Sequence, residues 1–171
     1  MSDKKEPFLT TVRAATEADT PSIVQFIEEL AEYEKLRDTC RADPARLSEH
    51  LFGDRSYAEV LMAEHNGQPA GFALFFHTYS TFLCAPSLYL EDLFVRPAFR
   101  GRGIGEKLLR HLASLAIERG CRRMEWAVLD WNQPAIDFYL RVGARPMNEW
   151  TTFRLDGDDL AKLGGAPTTG R

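Results

Sequence analysis

The chain has 171 residues, 44% hydrophobic and 27% charged, enough for one domain whose core needs neither disulfide nor metal. Its net charge of −4 argues against nucleic acid or an anionic membrane as the main partner, because both reward basic surfaces. Three scattered cysteines (Cys40, Cys84, Cys121) and four histidines without zinc spacing (His50, His65, His77, His111) suit a reduced compartment and no metal. Met1 to Pro7 carries no apolar signal core and no apolar run is long enough to cross a bilayer, so a cytoplasmic protein is expected.

The elements alternate along the chain. Residues 1–10 read as a disordered lead, 11–163 as one folded domain and 164–171 (GGAPTTGR from Gly164) as a flexible tail. Thr11 to Ala15 predicts a strand. Ile23, Phe26, Ile27 and Leu30 recur at helical spacing and predict a helix from Pro21 to Leu36, with Asp19 or Thr20 as its cap. A second helix is expected from Pro44 to Phe52. Three strands follow, Tyr57–Ala63, Ala70–His77 and Leu88–Val95, with Asn66-Gly67 as a hairpin turn between the first two. Thr78 to Ser87 reads as a longer loop of the kind that often carries function.

A helix opens after the glycines at 101–105 and ends before Gly120, with Ile104, Leu108, Leu112 and Leu115 as its buried stripe. Met124–Leu129 predicts a strand. Asn132 caps a short helix that Gly143 stops, Trp150–Leu155 predicts a closing strand, and a last helical turn follows Asp158. The order β-α-α-β-β-β-α-β-α-β is a mixed α/β fold with an antiparallel first half and a crossover helix.

Arg100 to Gly105 reads RGRGIG, directly after a strand and into a helix. Gly101, Gly103 and Gly105 let the backbone turn tightly and approach a ligand. The unpaired N–H groups of the helix start then suit an anion such as pyrophosphate, with Arg100 and Arg102 adding charge. A Walker loop is excluded, since no Gly-Lys-Ser/Thr follows. The plain alternative is a tight turn that only caps a helix.

Leu90 to Gly105 (LEDLFVRPAFRGRGIG) resembles the acetyl-CoA-binding motif of the GNAT superfamily of N-acetyltransferases, with Arg100, Gly103 and Gly105 on its pattern. Asp130 to Ala144 (DWNQPAIDFYLRVGA) resembles that family's second signature. YLEDLFV at Tyr89–Val95 and LAEYEKL at Leu30–Leu36 are similar to the spermidine/spermine and thialysine N-acetyltransferase branch, over about Val12 to Leu163.

The resemblance implies that the strands at Leu88–Val95 and Met124–Leu129 splay apart and admit the pantetheine arm of acetyl-CoA. It implies that Leu93, Phe94, Val95, Arg100, Gly101, Arg102, Gly103, Ile104, Gly105, Glu106, Asn132, Pro134, Ala135 and Tyr139 hold the co-substrate. It makes Tyr139 the acid that protonates the leaving thiolate, a role open to a phenol at neutral pH. The alternative for Tyr139 is packing, because Ile136 and Leu140 share its helix face.

Glu91 and Asp92 are adjacent on a strand, so their side chains are expected on opposite faces. The resemblance gives Glu91 the removal of the amine proton; the alternative is that either acid pairs with Arg100 or Arg102. Tyr33, Glu34 and Glu149 match positions of that branch that line the amine site, although Glu34 and Glu149 alone read as surface acids, and Glu91 and Trp126 are expected to bind the substrate with them. Trp126, Trp131 and Trp150 offer cation–π faces to an ammonium group, with core packing as the plainer role. The expected activity is direct acetyl transfer to a small cationic amine, by a homodimer. A protein or antibiotic N-acetyltransferase and a non-catalytic acyl-CoA-binding module are the alternatives.

Overall fold

A computed structural model of the chain describes residues 9–165, so most of the expected lead and of the expected tail lies outside the described residues. Strand β1 (Thr10–Ala14) leads through a 3₁₀ turn to helix α1 (Thr20–Tyr33), and α2 (Pro44–Phe52) follows. Strands β2 (Glu59–His65), β3 (Gln68–Ser80) and β4 (Ala85–Val95) come next, then α3 (Ile104–Glu118) and β5 (Met124–Trp126). Helices α4 (Gln133–Arg141) and α5 (Gly157–Leu163) complete the described chain. It divides into two compact units, one through Leu129 and one from Asp130.

The first unit is a five-stranded sheet in the order β1-β2-β3-β4-β5, antiparallel except for the parallel pair β4/β5. On one face α1 lays Ile23, Phe26 and Leu30 against Val60, Met62, Phe72 and Phe94, with the Phe26 and Phe72 rings stacked at 5.4 Å. Alternate strand residues, including Leu61, Ala73, Phe75, Leu88 and Leu90, are buried as well. Helix α3 packs against the same strands through Ile104, Leu108 and Leu112.

Several local signals act as expected. Asn66 (φ 52°) and Gly67 (φ 76°) form the β2–β3 turn in the doubly left-handed geometry that a two-residue hairpin favours. Gly120 ends α3 in the left-handed region, where Cys121 N–H bonds Ala116 O at 2.8 Å; Gly143 ends α4 the same way. Helix α1 stops at Tyr33, three residues short of Leu36, because Lys35 takes the same left-handed cap (φ 60°) and Leu36 N–H bonds Ala31 O.

Other elements differ from the sequence reading. The loop over Thr78–Ser87 is mostly strand: Thr78 pairs with Ser87 and Ser80 with Ala85, leaving a turn at Thr81–Cys84. Strand pairing there satisfies the backbone groups that a loop would leave to water. The strand expected over Trp150–Leu155 does not form among the described residues. Trp150, Phe153 and Leu155 are all exposed, so neither a ladder partner nor a buried face stabilises it. The strand expected over Met124–Leu129 stops at Trp126, for a reason that lies in β4.

Candidate active site

Strand β4 carries a bulge. Its register with β3 runs Phe75↔Leu90 and then Leu74↔Asp92, so Glu91 has no partner on β3. A bulge bends a strand and sharpens its twist. On the other edge, β5 pairs with β4 only at Leu88, Tyr89 and Leu90. The two strands therefore part where the bulge begins, and β5 ends at Trp126, opposite Leu90. The splay implied by the family resemblance has this local cause.

Beyond the bulge, β4 offers its backbone on that open edge. Arg96 N–H donates to Ala70 O at 2.9 Å, toward β3. Backbone groups alternate sides along a strand, so Phe94 also faces β3, whereas the N–H and C=O of Leu93 and Val95 face the open edge. Val95 O is already in one bond there, accepting from Arg100 Nε at 2.9 Å.

The bulge also changes where the acids lie. Simple alternation separates Glu91 from Asp92 and puts Asp92 on the face of Leu90. The extra residue shifts that parity, and Asp92 instead stands opposite Leu74, which packs against the α1 core. Glu91 is exposed and Asp92 half-buried. Burial first, and then the charges of Glu91 and Glu34, push the Asp92 carboxyl up to about 7. Burial alone raises Glu34, the residue just after α1. Glu91 and Glu34 thus both act on Asp92.

The glycine turn follows. Pro97–Phe99 forms one 3₁₀ turn, then Gly101 (φ 73°) and Gly103 (φ 74°) adopt the left-handed region that favours glycine. A Cβ added at either would meet no atom within 4 Å, so nothing in the protein crowds the turn and a ligand can approach its backbone. Gly103 caps α3, whose first internal bond is Lys107 N–H to Gly103 O. The N–H groups of Ile104, Gly105 and Glu106 therefore have no acceptor within the helix. Ile104 anchors this end in the core. The Glu106 carboxylate is bound by Arg110 at 2.7 Å, which offsets its repulsion of an incoming anion.

The arginines around the turn make different contacts. Arg96 binds Glu29 at 2.8 Å, donates to Gln25 Oε1 and Pro69 O, and lies 4.6 Å over the Phe26 ring, so it ties the end of β4 to α1. Arg100 lies 4.7 Å over the Tyr33 ring and 5.7 Å over Phe94. Arg102 is exposed on the turn.

In the second unit, Asn132 is buried and its side chain accepts from Ala135 N–H at 3.4 Å, with Pro134 in the first turn of α4. No residue of α4 is fully buried. Tyr139 is half-buried and its ring lies 5.3 Å from that of Phe138. Of the two neighbours that suggested a packing role, Leu140 is exposed and Ile136 half-buried. Glu149 is exposed.

The first unit thus assembles Tyr33, Glu34, Glu91, Leu93, Val95, Arg100 and the glycine turn around β4. Asp92, which sequence reasoning weighed beside Glu91 without giving it a role, lies near them. Its only signal was being a second acid on a core strand, where a charge is costly to bury. No group of three or more His, Cys, Asp or Glu side chains fit for a metal ion stands among the described residues, and no described helix is long and apolar enough to cross a membrane.

The profile of the Acetyltransferase (GNAT) family matches residues 23–144. The chain is 38% identical over 165 residues to the thialysine N-epsilon-acetyltransferase of Sus scrofa, covering 90% of this chain and 96% of that one. It is 31% identical to an L-ornithine N5-acetyltransferase of Arabidopsis thaliana, covering 89% and 86%. Among solved structures, an integron cassette protein from V. cholerae superposes with a TM-score of 0.78 at 28% identity, covering 92% of this chain and 98% of that one.

Proposed function

Because the chain belongs to the GNAT acetyltransferase family, we propose that it moves the acetyl group of acetyl-CoA onto a primary amine of a small cationic substrate, a diamine, polyamine or lysine-like amine. The observation that carries the substrate class is the convergence of Glu34, Glu91 and Asp92, with Asp92 pushed up to about 7. Carboxylates gathered beside an open strand edge attract and hold a cation. The two relatives named above acetylate, by their names, the N-epsilon position of thialysine and the N5 position of L-ornithine.

Acetyl-CoA supplies an activated acyl group as a thioester. The N–H groups at 104–106 would take its pyrophosphate, and the edge groups of Leu93 and Val95 its pantetheine arm. A backbone N–H near Leu93 would polarise the thioester carbonyl. Glu91, through ordered water, draws the proton from the substrate ammonium. Asp92 beside it, with a carboxyl pushed up to about 7, is matched to take that proton on from Glu91 at working pH. The amine nitrogen bonds to the carbonyl carbon as the C–S bond breaks, and Tyr139 donates its phenolic proton to the departing thiolate. A homodimer in the cytoplasm, with Glu149 and Trp126 completing the amine site, belongs to the same proposal.

A thiol-release assay across polyamines, lysine analogues, peptides and aminoglycosides tests it. Wild type should prefer a diamine over its neutral-tailed analogue by about tenfold or more in kcat/KM, or about 1.4 kcal/mol. Glu34→Gln and Glu149→Gln should erode that preference through KM. Equal use of both substrates removes the acidic-site reading. Preference for a peptide or an aminoglycoside installs the protein or antibiotic alternative, and absence of turnover with any amine leaves a binding module.

A further inference from the structure

Arg100 stands on the glycine motif, where charge for a pyrophosphate was expected, yet its side chain folds back five residues. Nε donates to Val95 O at 2.9 Å, and the guanidinium lies 4.7 Å over Tyr33 and 5.7 Å over Phe94. Phe94 is buried, and Tyr33 packs against the same core cluster at the last position of α1. The residue after Tyr33 is Glu34, whose charge reaches Asp92. Val95 O lies on the open edge of β4 past the bulge. One side chain therefore touches both the α1 residue that leads into the acid cluster and a carbonyl of the splayed edge.

We propose that Arg100 is a positioning residue for the amine site, holding Tyr33, and with it Glu34, in register with the β4 edge at Val95, and that it is not a ligand of the CoA pyrophosphate. The chemistry favours arginine for this. Its planar fork lies flat on an aromatic ring while Nε keeps a fixed bond in the plane, a combination the lysine ammonium cannot reproduce. A carbonyl oxygen has two lone pairs, so Val95 O keeps one for the acyl donor after Arg100 takes the other. Glu34 follows Tyr33 directly in the helix cap, so a displaced Tyr33 ring would carry Glu34 with it. The proposal rests on the amine-acetyltransferase reading above.

The two roles predict opposite results with S-acetylpantetheine, an acyl donor that lacks the pyrophosphate. If Arg100 positions the amine site, Arg100→Gln raises the KM of a cationic amine by about tenfold with acetyl-CoA and with acetylpantetheine alike. Arg100→Lys does not restore it. Tyr33→Ala matches Arg100→Gln, and the double variant adds little, as residues acting through one contact do. Calorimetry with CoA gives nearly the wild-type Kd for Arg100→Gln.

A defect that vanishes with acetylpantetheine, full recovery by Arg100→Lys, or a tenfold loss of CoA affinity would each overturn the proposal. If wild type acetylates no cationic amine, the functional reading fails on its own. Calorimetry still decides Arg100 in that case, because loss of CoA affinity with pantetheine affinity unchanged assigns it to the pyrophosphate.

Discussion

Replacing Asp92 by asparagine keeps the shape of the side chain and removes its ability to ionise. In the folded protein, burial and then the neighbouring acids Glu91 and Glu34 raise this carboxyl from its ordinary 3.8 to about 7. The folded state therefore holds the proton more tightly than the unfolded chain does. Ionising Asp92 costs the folded protein stability as the pH rises from about 4 towards 7, and the whole penalty is present above 7. At about 1.36 kcal/mol per unit, the shift corresponds to a penalty on the order of 4 kcal/mol, an upper figure because the residue keeps some contact with water.

Asp92→Asn should thus gain stability over wild type by some 2–4 kcal/mol at pH 8, and the gain should shrink towards zero near pH 4. Urea unfolding of both proteins at pH 4, 5, 6, 7 and 8 reads the difference directly. Glu34→Gln should reduce the pH slope of wild type only modestly, since burial is the larger cause. A difference between the two proteins that stays flat, within about 0.5 kcal/mol across that range, refutes the argument. The same titration should appear in catalysis. If ionised Asp92 accepts the amine proton, kcat/KM falls below about pH 7 in wild type, and the variant loses both rate and that acid limb.

Three further perturbations address the rest of the molecule. Gly103→Asp puts a negative side chain at the left-handed cap of α3 and should weaken acetyl-CoA by at least about tenfold, roughly 1.4 kcal/mol, by calorimetry; unchanged affinity in a folded variant would sink the anion site. Tyr139→Phe should lower kcat by about 10² to 10⁴ with acetyl-CoA binding and thermal stability unchanged, and retention of more than about a third of kcat returns Tyr139 to packing. Gly71→Ala drives a Cβ to 2.4 Å from Phe94 O and 3.1 Å from Val95 Cα, both backbone, and should destabilise the protein by about 1–3 kcal/mol in chemical denaturation; an unaltered midpoint would mean that β4 yields there freely.

What the sequence determined by itself was local or periodic. The helical stripe of Ile23, Phe26 and Leu30, the Asn66-Gly67 turn, and the caps at Gly120 and Gly143 depend on side chains within a few residues and could be read in order. The glycine turn at 101–103 belongs with them, since its backbone angles need glycine whatever surrounds it. Lys35 shows the limit: a lysine can take a left-handed cap when tertiary packing ends the helix there, and nothing in its neighbours announced it. The bulge at Glu91 was hidden for a deeper reason. Register is a property of two strands, and a single extra residue on β4 is visible only against Leu74 and Phe75 of β3. That one shift of parity put Asp92 beside Glu34 and Glu91, and it parted β4 from β5. The contacts of Arg100 were hidden for a similar reason, because Val95 O and Tyr33 meet its side chain across separations of 5 and 67 positions in the chain. Trp150–Leu155 is the converse case. Alternating side chains made a strand plausible, but a strand forms only where a partner supplies its hydrogen bonds, and that partner is chosen by the tertiary fold.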